Sequence, residues 1–196
     1  MTEQTQSPFN EWVEKLLTVE GGYANRVNDR GGETMFGVTR RLALHYLQKE
    51  LPPLASWSGE MREFRRDMAI AVYRQEFWVP LKLEQLARWC KPIAFELGDT
   101  AVNCGKRRTV LFLQRALNLL NWEQRRWPDI EEDGILGPTT IGILERITDK
   151  VRQRQLLRAL DGEQYAHYAA LARSDPSQEE NFAGWLDKRI GNETIP

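Results

Sequence analysis

The stretch Glu20-Gly-Gly-Tyr-Ala-Asn-Arg-Val-Asn-Asp29-Arg-Gly-Gly-Glu-Thr34 holds the residue types best suited to chemistry. It carries one carboxylate, a second nine residues on and a hydroxyl five after that, all threaded with glycines. Two carboxyl groups in unlike surroundings can divide acid and base duties between them. Glu20 falls at the expected end of an amphipathic helix and on its apolar side. The negative end of the helix dipole and the loss of hydration both favour the neutral acid there. Asp29, in a polar turn, keeps its charge, and the Thr34 hydroxyl can orient a water. A protonated carboxyl beside an ionised one is what cleavage of a glycosidic bond requires, because the leaving oxygen must take a proton as the bond breaks. Taken singly, Glu-Gly-Gly is an ordinary glycine-capped helix end and Asp-x-Gly-Gly an ordinary turn. Their combination is what favours catalysis.

The elements that must hold these residues are mostly helical. Ser7-Pro8 reads as an N-cap followed by proline at the first helical position, and Phe9, Trp12, Val13, Leu16 and Leu17 then recur at helical spacing. From Tyr23 to Thr39 the helical period disappears, which predicts a loop or small antiparallel hairpin turning at Asp29-Arg-Gly-Gly. Thr39 can cap a helix carrying Leu42, Leu44 and Leu47 that must finish before Pro52-Pro53. Ser58 is expected to start a further helix with Met61, Phe64, Met68 and Val72 on one side, closed by Pro80. Short helices follow over 81–89 and, after Pro92, 93–103, then a longer one over 106–120. Residues 122–137 read as a loop, after which Gly137-Pro138 opens a helix, followed by helices over about 151–172 and 179–190.

Composition narrows the function classes. With 196 residues, 41% of them hydrophobic, the chain can bury a core, and a net charge of -1 provides no global basic field for nucleic acid or an anionic membrane. Cys90 and Cys104 lie fourteen residues apart with no histidine at metal spacing, so two buried free thiols are expected rather than a zinc site or a disulfide framework. Asp129-Ile-Glu-Glu-Asp133-Gly134 mimics the first half of a calcium loop, but Thr140 stands where the bidentate Glu would be. Trp57, Trp78, Trp122, Trp127 and Tyr73 have the planar faces that stack on sugars, although helical spacing puts most aromatics in cores. The Lys106-Arg-Arg108 and Arg125-Arg126 runs read as solvated faces, with phosphates or carboxylates as the alternative ligands. His45 and His167 are isolated. The N-terminus has neither the basic nor the apolar region of a cleavable signal, and no apolar run is long enough to span a bilayer.

The run from Glu20 to Thr39 resembles the signature of the glycoside hydrolase 108 family, the bacterial and phage N-acetylmuramidases once described as secretion activators. Its Glu-x8-Asp-x4-Thr order is also similar to the triad of phage-type lysozymes, one residue shorter before the Thr. The resemblance continues in Asp99-Thr-Ala-Val-Asn-Cys-Gly, in Phe112-Leu-Gln-Arg-Ala-Leu, in Asp133-Gly-Ile-Leu-Gly-Pro-Thr-Thr and in the closing Gly184-Trp185-Leu186-Asp-Lys-Arg189. The first two of these together look like the start of a peptidoglycan-binding-like region, and the third resembles the Asp-Gly-x-x-Gly-x-x-Thr turn of peptidoglycan-binding modules.

The resemblance implies a mainly α, lysozyme-like fold: two helical lobes around a cleft, with at most one small β-hairpin near residues 23–39. A catalytic lobe over 8–95 and a peptidoglycan-binding-like lobe over 96–190 are expected, or one continuous domain. Glu20, Asp29 and Thr34 are the catalytic candidates. Tyr23, Asn25, Gly32, Tyr73, Trp78, Asp99 and Asn103 are the candidates for substrate contacts. No metal or cofactor is expected. The implied reaction is hydrolysis of the β-1,4 bond between N-acetylmuramic acid and N-acetylglucosamine, with a lytic transglycosylase or a non-catalytic wall-binding protein as alternatives. The expected partner is the peptidoglycan glycan strand, met by a monomer made in the cytoplasm. It would reach the wall through a holin-type release system or a secretion apparatus with an immunity protein, without nucleic acid or membrane insertion.

Overall fold

The computed structural model describes residues 7–19, 21–25 and 32–196. It divides into two compact units, Met1–Pro80 and Leu81–Pro196.

In the first unit, helix α1 (Pro8–Val19) starts as its sequence dictates. The Ser7 hydroxyl accepts from the Asn10 N–H at 3.3 Å, occupying one of the donors that a helix start leaves open. The apolar stripe of α1 is the core: Phe9, Trp12, Val13, Leu16 and Leu17 are all buried. They meet a second set of aromatics, Phe9 edge-on to the Trp78 ring at 5.5 Å, Trp12 tilted by 36° to the same ring at 5.4 Å, and Trp12 at 90° to Tyr73. These tilted contacts suit the quadrupoles of the rings.

A two-stranded antiparallel sheet follows, β1 (Thr34–Met35) against β2 (Val38–Thr39). Its turn is Phe36-Gly37, both with positive φ (52° and 73°), as a two-residue hairpin requires. The turn predicted at Asp29-Arg-Gly-Gly falls mostly on residues outside the described ones. Thr39 caps α2 (Arg40–Gln48), its hydroxyl accepting from the Leu42 N–H at 3.3 Å. Ala43 and Tyr46, rather than the three leucines, are the buried residues of α2.

The helix expected from Ser58 begins only at Arg66. Local side-chain bonds compete with it: the Ser58 hydroxyl donates to Glu63 at 2.7 Å and accepts from the Glu60 N–H, and the Trp57 indole donates to the Glu60 carbonyl. Only a 3₁₀ turn, Met61–Glu63, forms before α3 (Arg66–Tyr73). Met61 and Phe64 still reach the core. Beyond Tyr73 the helix widens into a π-helical turn, Arg74–Trp78, which carries the buried Phe77 and Trp78.

In the second unit, α4 (Leu83–Cys104) is two helical arms joined at a non-helical Cys90 (φ −153°, ψ 97°). Pro92 lacks the N–H that would bond back one turn, so the helix breaks and restarts. This matches the pair of short helices predicted on either side of Pro92. Then come α5 (Lys106–Leu119), α6 (Pro138–Arg146), α7 (Lys150–Ser174) and α8 (Glu179–Arg189). α4, α5 and α7 pack on one another and α8 lies on α7, burying Ile93, Leu97, Leu113, Leu117, Leu156 and Leu160. Cys90 and Cys104 are free thiols, Cys90 buried and Cys104 half-buried, and burial pushes both up.

Between α5 and α6 the chain takes an unusual course. Trp122, Glu123 and Gln124 are consecutive left-handed residues with φ of 60°, 56° and 63°. Each costs roughly 1–2 kcal/mol for a side chain bearing a Cβ. Among the described residues no helix is long and apolar enough to cross a membrane.

Candidate active site

Glu20 and Asp29 lie outside the described residues, and the site is built from what flanks them in sequence. Thr34, the third member of the motif, is half-buried at the start of β1. Its N–H donates to the Ala24 carbonyl at 2.8 Å and its carbonyl accepts from the Ala24 N–H at 2.9 Å, while across the hairpin it pairs with Thr39. Residues 24 and 34 are therefore locked opposite each other. The backbone on both sides of the Asp29 segment is held at fixed separation.

Tyr23, a predicted substrate contact, is tied into this frame. Its hydroxyl donates to Glu33 Oε1 at 3.0 Å, and the Arg62 guanidinium lies 4.1 Å from its ring centre. Glu33 in turn faces Arg40 at 3.5 Å. Asn25 is exposed, and Gly32 has φ +70° with open space where a side chain would start, so only its backbone conformation asks for glycine. Sequence reading singled out Tyr23 but not Glu33 or Arg62 as its partners. Glu33 was visible only as an unusual residue between Gly32 and Thr34, and nothing in the local pattern points to Arg62.

Tyr73 and Trp78 are core residues, 1% and 2% exposed. The Tyr73 hydroxyl donates to the Phe36 carbonyl at 2.8 Å, holding the hairpin turn to α3. The faces of Trp78 meet Phe9 and Trp12. Neither ring has surface on which a sugar could stack. Trp57 and Trp127 are likewise buried.

Asp99 and Asn103 belong to the second unit. An Asp99 oxygen lies 2.7 Å from Arg189 Nη1, and the Asn103 amide donates to the Asp99 carbonyl. Arg189, 8% exposed, comes from the closing Gly-Trp-Leu motif, so this ion pair fastens α8 to α4. Trp185 of the same motif stacks on Tyr168 at 4.7 Å. The other two motifs also meet. The buried Gln114 donates to Asp133 Oδ1 at 2.7 Å and to the Ile135 carbonyl at 3.2 Å, and accepts from the Gly134 N–H at 2.8 Å. Of the acids that mimic a calcium loop, Asp129 is engaged in the same way by Asn121 and Gln124, and Asp133 by Gln114.

Residues 13–105 match the family model described as glycosyl hydrolase 108, and residues 108–190 match the one described as a predicted peptidoglycan domain. Residues 13–105 belong to the glycosyl hydrolase 108 family. A solved structure, that of SagA from Brucella abortus, is similar to it in fold with a TM-score of 0.63 at 16% identity, covering 94% of this chain and 96% of that one. No curated protein matches. The first matched region supports a glycoside hydrolase, and the second supports peptidoglycan as its substrate class.

In this chain the four downstream motifs occur as two interlocking pairs, Asp99 with Arg189 and Gln114 with Asp133-Gly134. Their residues brace the second unit rather than stand free for a ligand. Gly134 shows how tightly. It has φ +72°, and a Cβ there would lie 2.6 Å from Arg107 Cγ and 2.9 Å from the Arg107 carbonyl oxygen. Gly134→Ala is therefore expected to cost about 1–3 kcal/mol, the sum of left-handed strain and overpacking, read as a lowered denaturant midpoint. An unchanged midpoint would show that the turn relaxes freely.

Proposed function

We propose that this glycoside hydrolase cleaves the β-1,4 bond between N-acetylmuramic acid and N-acetylglucosamine in the cell wall, with Glu20 as proton donor. In this reading the Glu20 carboxyl protonates the glycosidic oxygen as the bond to the anomeric carbon breaks. Water adds to that carbon from the opposite face. Asp29 accepts the water's proton or stabilises the oxocarbenium-like state, and Thr34 positions the water. A water held by Asp29 and a hydroxyl favours inversion at the anomeric carbon.

The observation that carries the reading is the position of the Glu20-to-Thr34 motif inside the stretch matched to glycosyl hydrolase 108, directly after α1 in sequence. The locked pair Ala24 and Thr34 supports it, because acid/base catalysis demands a fixed frame on both sides of the second carboxylate.

Purified peptidoglycan digested with the full chain tests it. The expected products are muropeptides ending in a reducing N-acetylmuramic acid, heavier by one water than anhydro products, with the inverted anomer formed first. Anhydro ends would replace the reading with a transglycosylase. Reducing N-acetylglucosamine ends would move the cleaved bond, and a retained anomer would replace the positioned water with a covalent route.

A further inference from the structure

We propose that Trp122 is a saccharide-stacking platform that holds a glycan strand of peptidoglycan on the second unit, a binding site apart from the Glu20 motif. The inference rests on the peptidoglycan reading above and names a contact that the reading does not require.

Trp122 is 63% exposed, in contrast to Trp57, Trp78 and Trp127, which are all in cores. It is also held in place. The Arg126 guanidinium lies 4.5 Å from its ring centre, and Arg126 itself is pinned by an Nη1 donation to the Leu120 carbonyl at 3.2 Å. With one face of the indole on a fixed cation, its exposed area belongs to the other face and the edges.

The backbone is built around the same result. Trp122 opens the run of three left-handed residues, a conformation that side chains with a Cβ disfavour. The run persists because its surroundings over-determine it. The buried Asn121 side chain accepts from the Gln124 N–H at 3.2 Å and donates to Asp129 at 2.6 Å, Gln124 donates to the other Asp129 oxygen at 3.1 Å, and the Asn121 carbonyl accepts from the Arg126 N–H. Trp127 anchors the far side through its indole N–H to the Leu117 carbonyl. Strain maintained by so many bonds, with an exposed tryptophan as its product, points to a binding role.

The chemistry of the platform selects its occupant. A rigid, flat, open indole face fits the axial C–H face of a pyranose ring, and it stacks at little entropic cost because the ring is already immobilised. Residues 108–190, which contain the turn, match the peptidoglycan domain, so the pyranose is an N-acetylhexosamine of the wall strand. Arg126 adds positive charge beside it, complementary to the carboxylates of the peptide stems, while the neighbouring Arg125 is paired with Glu123 at 2.8 Å.

The test compares full-length chains in a Glu20→Gln background, sedimented with purified insoluble peptidoglycan. Trp122→Asn removes the ring while keeping a residue that tolerates the left-handed backbone. Its binding is expected to fall roughly 2- to 12-fold, the scale of one lost aromatic stack, with an unchanged thermal midpoint. Trp122→Phe is expected to recover most of the loss. Equal binding by Trp122→Asn overturns the proposal, as does a loss that Phe does not restore but that Arg125→Ala and Arg126→Ala reproduce. The second result would mean charge alone holds the wall. Release of reducing ends by the wild-type chain is scored separately, so an idle Trp122 in an active hydrolase is distinguished from a chain that does not act on peptidoglycan.

Discussion

Glu20→Gln is expected to lower the rate of reducing-end release from peptidoglycan by about 10²–10⁴-fold, the range set by loss of a positioned general acid. Gln keeps the shape and the hydrogen-bonding capacity of the protonated Glu, so binding to the insoluble substrate should be retained. What is lost is a proton acidic enough to leave for the glycosidic oxygen as the bond stretches. That contribution exists only in the transition state, so the rate at saturating substrate should fall while the substrate concentration giving half-maximal rate stays within a few-fold. Glu20→Asp, whose shorter side chain keeps the acid but displaces it, should fall between the two. A Gln variant within tenfold of wild type would remove Glu20 from the mechanism.

The helices were legible because their signals are local. Ser7-Pro8, Thr39, the Pro92 break and Gly137-Pro138 each act within a turn of the chain, and the structure starts or breaks its helices at or beside them. The late start of α3 was not legible, because it depends on Ser58 and Trp57 side chains outbidding a helical period that Met61 and Phe64 do continue. The aromatic assignments separate on the same ground. Helical spacing favours cores for most aromatics, and Trp78 and Tyr73, expected as sugar contacts, both lie in the core. The exposure of Trp122 depends on three left-handed residues, which no composition of Trp, Glu and Gln announces. The downstream motifs were visible as resemblances, but their pairing was not, since Asp99 meets Arg189 across ninety positions of sequence.

Glu96→Gln is expected to stabilise the protein above neutral pH and to flatten the dependence of its stability on pH. Glu96 sits on α4 with 1% of its surface exposed. Gln164 Nε2 donates to its Oε1, the Thr100 hydroxyl faces the same oxygen at 3.4 Å, and Tyr168 lies next along through Gln164. Burial first, then the charges of Asp161 and Asp99, push its carboxyl from 4.5 up to about 8. Asp161 is itself pushed up by burial. The sign follows from proton counting. Below about pH 4.5 folded and unfolded chains both hold the Glu96 proton, and between there and about 8 only the folded chain does. Folding therefore takes up a proton across that window, and stability falls as pH rises through it. At about 1.4 kcal/mol for each pH unit, the full window amounts to a few kcal/mol. Gln has no proton to release, so the variant should lose little over the same range while keeping the amide contact to Gln164. The check is a series of denaturant midpoints from pH 5 to 9 for both chains. Curves that fall in parallel would show that Glu96 does not carry the dependence, and a variant less stable at pH 8 would show that Gln164 and Thr100 need the acid itself.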